Sequence, residues 1–220
     1  MTFSIVARDP RTGAFGVATA TGGPCVGSLV AHARAGVGAV ATQGFTTNPF
    51  YGIDGLELLA GGESARETLQ VLTRADRNRE RRQCIMIGRD GATAGWSGAE
   101  LGADFDTFLE TDLAVGGNLL AGPTVLPAML AAYKAEASVP MHDRLAAALK
   151  AGEAEGGDRR GTMSASVKVV TTEPYYAIDV RIDWSDTPID DLLTALAAST
   201  SGDYAEFFER LPTRAEPDRG

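Results

Sequence analysis

The hydrophobic pattern opens on a strand. Thr2-Phe3-Ser4-Ile5-Val6-Ala7-Arg8 is apolar and β-branched and runs into Asp9-Pro10-Arg11-Thr12-Gly13, a cluster of turn residues. Ala14-Phe15-Gly16-Val17-Ala18-Thr19-Ala20 resumes the pattern, so the start of the chain predicts a β-hairpin. Gly27 to Ala35 is short, apolar and ambiguous. Val37 to Thr42 reads as a buried strand of small residues, followed by a polar and aromatic loop from Gln43 to Gly52. Ile53 to Ala60, closed by Gly61-Gly62, predicts a helix. Ser64 and Glu67 have capping-box spacing and open another.

The middle of the chain returns to strands. Cys84 to Gly88 and Ala92 to Trp96 flank Arg89-Asp90-Gly91, a hairpin turn. Thr107 to Val115 predicts one strand that continues into Gly116-Gly117-Asn118. Leu126, Met129, Leu130 and Tyr133 recur at helical spacing, and a further helix is expected over Met141 to Lys150. After the loop Gly156 to Gly161, Ser164 to Val170 and Ala177 to Asp183 alternate as strands, each with one solvated or polar-lined face. Helices over Asp190 to Ala198 and Tyr204 to Leu211 close a single domain, 1–211. Residues 212–220 read as a flexible tail. Strand runs separated by helix runs predict an α+β fold with antiparallel sheets and helices packed outside.

Composition narrows the function classes. At 220 residues the chain can bury a sizeable core. A net charge of −9 and a pI near 4.7 argue against nucleic-acid binding, which depends on neutralising phosphates. No apolar run is long enough for a membrane span, and no secretory leader is recognised, so a cytoplasmic protein is expected. Cys25 and Cys84 read as small core hydrophobes; a disulfide between them is left open. The arginine-rich segment 74–82 reads as a solvated face. His32 and His142 are too few for a histidine metal site, and no cofactor is expected.

Thr2 carries the candidate chemistry. With Met1 removed, its hydroxyl and a free α-amine belong to one residue. An amine with a reference pKa of about 7.7–8.0 can take the hydroxyl proton as the oxygen attacks a carbonyl. Ser4, two residues on, faces the same side of the strand. A threonine after the initiator methionine is common, so the pairing needs support from the rest of the chain.

That support is a resemblance. Phe3-Ser4-Ile5-Val6-Ala7-Arg8-Asp9-Pro10, Ala35 to Gln43, Tyr51-Gly52, Gly117-Asn118-Leu119-Leu120-Ala121-Gly122-Pro123 and Gly156-Gly157-Asp158-Arg159-Arg160-Gly161 together resemble a bacterial domain family of unknown function. That family is placed among the N-terminal-nucleophile (Ntn) hydrolase-like folds. The resemblance reaches to about Trp184 and implies a four-layer α-β-β-α sandwich. It implies Thr2 as nucleophile of an amide hydrolase acting on a small molecule and Asn118 as oxyanion donor. Gln43, and Asp158 with Arg159 or Arg160, are implied to bind substrate; the structural alternatives are a guanidinium–carboxylate pair at Asp158 and a turn or helix N-cap at Asn118. The chain departs from the family pattern where glutamine is expected at Gly116 and Met163, and where Thr21-Gly22-Gly23 replaces an arginine-bearing segment. Those losses favour an alternative: a non-catalytic small-molecule binder or scaffold on the same fold. A homo-oligomer is compatible with either.

Overall fold

Two antiparallel sheets form the middle of the computed structural model, which describes residues 2–102, 104–135 and 137–220. In chain order the strands are β1 (Thr2–Arg8), β2 (Phe15–Thr21), β3 (Ala31–Arg34), β4 (Gly38–Gly44), β5 (Arg82–Gly88), β6 (Thr93–Ser97), β7 (Asp106–Glu110), β8 (Leu113–Asn118), β9 (Ser164–Val170) and β10 (Ile178–Ile182). The helices are α1 (Val26–Leu29), α2 (Phe50–Gly61), α3 (Ala65–Ala75), α4 (Val125–Lys134), α5 (Met141–Ala154), α6 (Pro188–Ser199) and α7 (Gly202–Glu209). One sheet has the order β10-β9-β2-β1-β8-β7, the other β3-β4-β5-β6.

The period of two along each strand decides what faces what. Phe3, Ile5 and Ala7 of β1 join a core with Leu126, Met129, Leu145 and Leu149, so α4, α5 and α6 cover the outer face of the six-stranded sheet. Val40, Cys84 and Met86 pack with Tyr51, Leu56, Leu69 and Leu72, placing α2 and α3 outside the four-stranded sheet. Between the sheets, Val6, Phe15, Val17, Ala39, Ala41, Ile85, Ile87, Ala114 and Val170 form a third core. The result is an α+β sandwich with helices on both outer faces.

Local signals in the sequence reappear as structure. Ser64 Oγ accepts from the Glu67 backbone while the Glu67 carboxylate accepts from the Ser64 backbone, closing the capping box. The expected strand from Thr107 is instead a hairpin, β7 and β8, because Asp112 adopts a left-handed conformation (φ 63°) and turns the chain. Its carboxylate accepts from Arg8 Nη1 at 2.8 Å, which holds the turn. Gly27 to Ala35 divides into α1 and β3. Cys25 is exposed rather than core, since it precedes α1 with φ 58°; Cys84 is buried, and both thiols are free. Arg82 leaves the solvated face expected for its segment: its Nε donates to Asp76 Oδ2 at 2.9 Å, and both side chains are nearly buried. At the C-terminus, the Pro212 carbonyl accepts from the Tyr175 hydroxyl at 3.0 Å. Among the described residues no helix is long and apolar enough to cross a membrane.

Candidate active site

The space between the sheets is polarised along the strands. Toward Arg8 it is filled by Val6, Val17, Ile87 and their neighbours; toward Thr2 the same faces carry hydroxyls and amides. Alternation brings Thr2 and Ser4 into this layer from β1, Thr19 and Thr21 from β2, Gln43 from β4, Gln83 from β5 and Asn118 from β8. All are buried, Thr2 at 5% exposure and Asn118 and Gln83 at 0%.

Register supplies the contacts. Thr2 stands opposite Asn118 in the β1–β8 ladder, and its hydroxyl donates to Thr21 Oγ1 at 3.3 Å. Ser4 Oγ lies 2.8 Å from Thr19 Oγ1 and donates to Gln43 Oε1 at 2.5 Å. Gln43 Nε2 reaches the Thr2 carbonyl at 3.3 Å, the Gly116 carbonyl at 3.1 Å and Gln83 Oε1 at 2.8 Å. Gln83 Oε1 also accepts from Asn118 Nδ2 at 3.0 Å, while Gln83 Nε2 donates to the Gly117 carbonyl at 3.0 Å and to Ser97 Oγ at 3.0 Å. Asn118 Oδ1 has no hydrogen-bond partner among the described residues although it is buried.

Three expected residues therefore meet: Thr2, Gln43 and Asn118. The Gln43 carboxamide is engaged at both ends, so it fixes the start of β1 against β4 rather than offering a free group. Asp158 lies one step further out. Its carboxylate accepts from the Gly22 backbone at 2.6 Å and from Arg160 Nη2 at 3.0 Å, with Asp158 fully buried and Arg160 half exposed. Asp158 thus ties the loop after β2 to the loop before β9, beside Thr21. Removal of Met1 concerns a residue outside the described ones.

Gln83 escaped the sequence reading although it is the hub. A signal was there: an amide stands at the polar end of two buried strands, Gln43 after Val40-Ala41-Thr42 and Gln83 before Cys84-Ile85-Met86. Two glycines near this cluster are closely enclosed. A Cβ at Gly22 would sit 2.5 Å from the Gly161 carbonyl, and one at Gly116 would sit 3.0 Å from Ile85 Cγ2. Backbone and Ile85 occupy the room that larger side chains would need.

Farther along β9, Lys168 shares the inter-sheet face with Ser164 and Ser166. Burial pushes its ammonium below the usual lysine range, opposed by Asp179 at 3.8 Å. No group of three or more metal-ligating side chains occurs among the described residues. The cleft of about 490 Å³ between α2 and α3, lined by Phe50, Tyr51, Leu58 and Leu72, shares no residue with the Thr2 cluster.

A model of the family of unknown function DUF1028 matches residues 2–192. The crystal structure of the protein SPO2555 from Silicibacter pomeroyi, which carries the same family designation, is 32% identical, with a TM-score of 0.91 over 99% of this chain and 98% of that one. Anbu (ancestral beta-subunit) from Yersinia bercovieri is 13% identical, with a TM-score of 0.43 over 96% of this chain and 98% of that one. No curated protein matches.

Proposed function

We propose that this chain, which belongs to the DUF1028 family of unknown function, is an amide hydrolase whose nucleophile is the Thr2 hydroxyl, exposed to its own α-amine by removal of Met1. The observation that carries this reading is the orphaned Asn118 Oδ1, buried opposite Thr2. A buried acceptor without a donor costs about 1–3 kcal/mol, so it calls for a partner. The free α-amine at Thr2 is such a donor: it has N–H groups to give while its lone pair stays available as the base.

The chemistry then follows from one residue. The amine takes the hydroxyl proton as Oγ1 attacks the substrate carbonyl, forming a C–O bond. Asn118 Oδ1 accepts from the resulting ammonium, and the Nδ2 hydrogen not given to Gln83 faces the developing oxyanion. Collapse breaks the C–N bond, and the ammonium proton leaves with the departing amine. Water repeats the sequence on the threonyl ester and releases the acid. Gln43 and Asp158 act by position: one fixes β1, the other the loop after β2.

Intact-mass measurement of the purified chain, followed by turnover of a panel of small N-acyl amides, tests the reading. The expected result is a chain lacking Met1, activity kept in Thr2→Ser and reduced at least about a thousandfold in Thr2→Ala. Full retention of Met1 in turning-over protein overturns it.

A second reading, a non-catalytic small-molecule binder, is favoured by the closure of the amide network and the 5% exposure of Thr2. Thermal stabilisation by members of the same panel without any turnover supports it.

A further inference from the structure

At the opposite end of β1 from Thr2, about 20 Å away along the strand, a second cleft of about 370 Å³ opens between the β1–β2 turn, the β7–β8 turn and the facing ends of α4 and α5. Its charges pair off unevenly. Arg8 meets Asp112 at 2.8 Å, Arg11 meets Asp9 at 2.9 Å, and Lys134 meets Glu110 at 2.5 Å. Arg144 also lines the cleft and forms no ion pair among the described residues. It lies 4.0 Å over the Tyr133 ring, and its Nε donates to the Tyr133 carbonyl at 3.0 Å. That arrangement holds the guanidinium in place and leaves its remaining N–H groups uncommitted.

Tyr133 supplies an independent observation. It is 3% exposed, and its hydroxyl has no hydrogen-bond partner among the described residues. Tyr133 lines this cleft together with Arg144, Asp9, Asp112 and Arg11. Burial pushes the phenol up to about 12, which keeps it a protonated donor throughout the physiological range. A planar guanidinium and a neutral hydroxyl that share one cleft, where every carboxylate already has a cation, suit an oxyanion.

We propose that this cleft is a binding site for a small organic oxyanion, a carboxylate or a phosphate monoester, with Arg144 and Tyr133 as its donors. The site is separate from the Thr2 cluster and stands whether or not that cluster is catalytic.

Thermal unfolding of the full chain against inorganic phosphate and against succinate, at ionic strength held constant with chloride, tests the site. Wild type is expected to show a saturable rise in Tm with at least one anion. A response to phosphate alone assigns the phosphate monoester, and a response to succinate alone the carboxylate. Tyr133→Phe is expected to fold at least as stably as wild type without anion, since it discards an unpaired hydroxyl. Both Tyr133→Phe and Arg144→Gln are expected to bind about tenfold or more weakly. The absence of a saturable rise with either anion, or a rise undiminished in Tyr133→Phe, overturns the proposal; the phenylalanine variant decides the matter even if Arg144→Gln fails to fold.

Discussion

Gln43 and Gln83 stand opposite each other in the β4–β5 ladder, and Gln43 Nε2 donates to Gln83 Oε1 at 2.8 Å. Both amides belong to the four-stranded sheet, yet each also bonds across the interior to the other sheet, Gln43 to the Thr2 and Gly116 carbonyls and Gln83 to the Gly117 carbonyl. The pair staples the two sheets at the end where the apolar inter-sheet core stops. Thr2 is therefore held by Gln43, which Gln83 holds in turn, and both glutamines are remote from it in sequence.

Gln83→Leu should expose that dependence. It keeps the volume but removes an acceptor from Gln43 and Asn118 and a donor from the Gly117 carbonyl. Gln43 Nε2 keeps the Thr2 and Gly116 carbonyls, so two groups are stranded; at about 1–3 kcal/mol each, the expected loss is about 2–6 kcal/mol in urea unfolding. A loss under about 0.5 kcal/mol, the scale of a neutral surface change, contradicts the hub role.

The glycine pair after β2 offers a paired test. At Gly22 a methyl would meet the Gly161 carbonyl and the Asp158 carboxylate, whereas at Gly23 nothing lies within 4 Å. Gly22→Ala should cost about 1–3 kcal/mol through this overpacking, while Gly23→Ala stays within about 0.5 kcal/mol. Equal effects at the two positions would show that the loop is not packed as described.

Asp9 makes stability depend on acid. Its carboxyl is held below the usual carboxylate range by the hydrogen bond from the Arg11 guanidinium, partly offset by burial. The folded chain thus binds a proton there less readily than the unfolded one. The stabilisation is fully present above the ordinary value near about 4 and fades as pH falls through the lower folded value. Asp9→Asn should be less stable than wild type by a constant margin between about pH 5 and 8, narrowing below about pH 4. A margin that widens in acid would reverse the assignment.

Thiol labelling should separate the cysteines. Cys25 is exposed, whereas Cys84 is buried among Tyr51, Leu69 and Met86, where burial pushes its thiol up. A maleimide should modify Cys25 alone in the folded chain and Cys84 only after denaturant is added. Labelling of both at equal rates in buffer would mean that the core around β5 opens freely.

What the sequence determined by itself is local. The period of two assigned Thr2 and Ser4 to one face of β1 and Phe3 and Ile5 to the other. Asp90-Gly91 announced a turn, and Ser64 with Glu67 announced a helix start, because in each case the partners lie within a few residues of one another. The tertiary structure decided what lies far apart in the chain: that β2 pairs with β9, that Asn118 faces Thr2, and that Gln83 joins Gln43. It also decided that Asp112 breaks one apparent strand into two, since that turn is held by Arg8 from another part of the sheet. Side-chain periodicity fixes which way a residue points; strand order and register fix what it meets, and those are settled by packing summed over the whole sandwich.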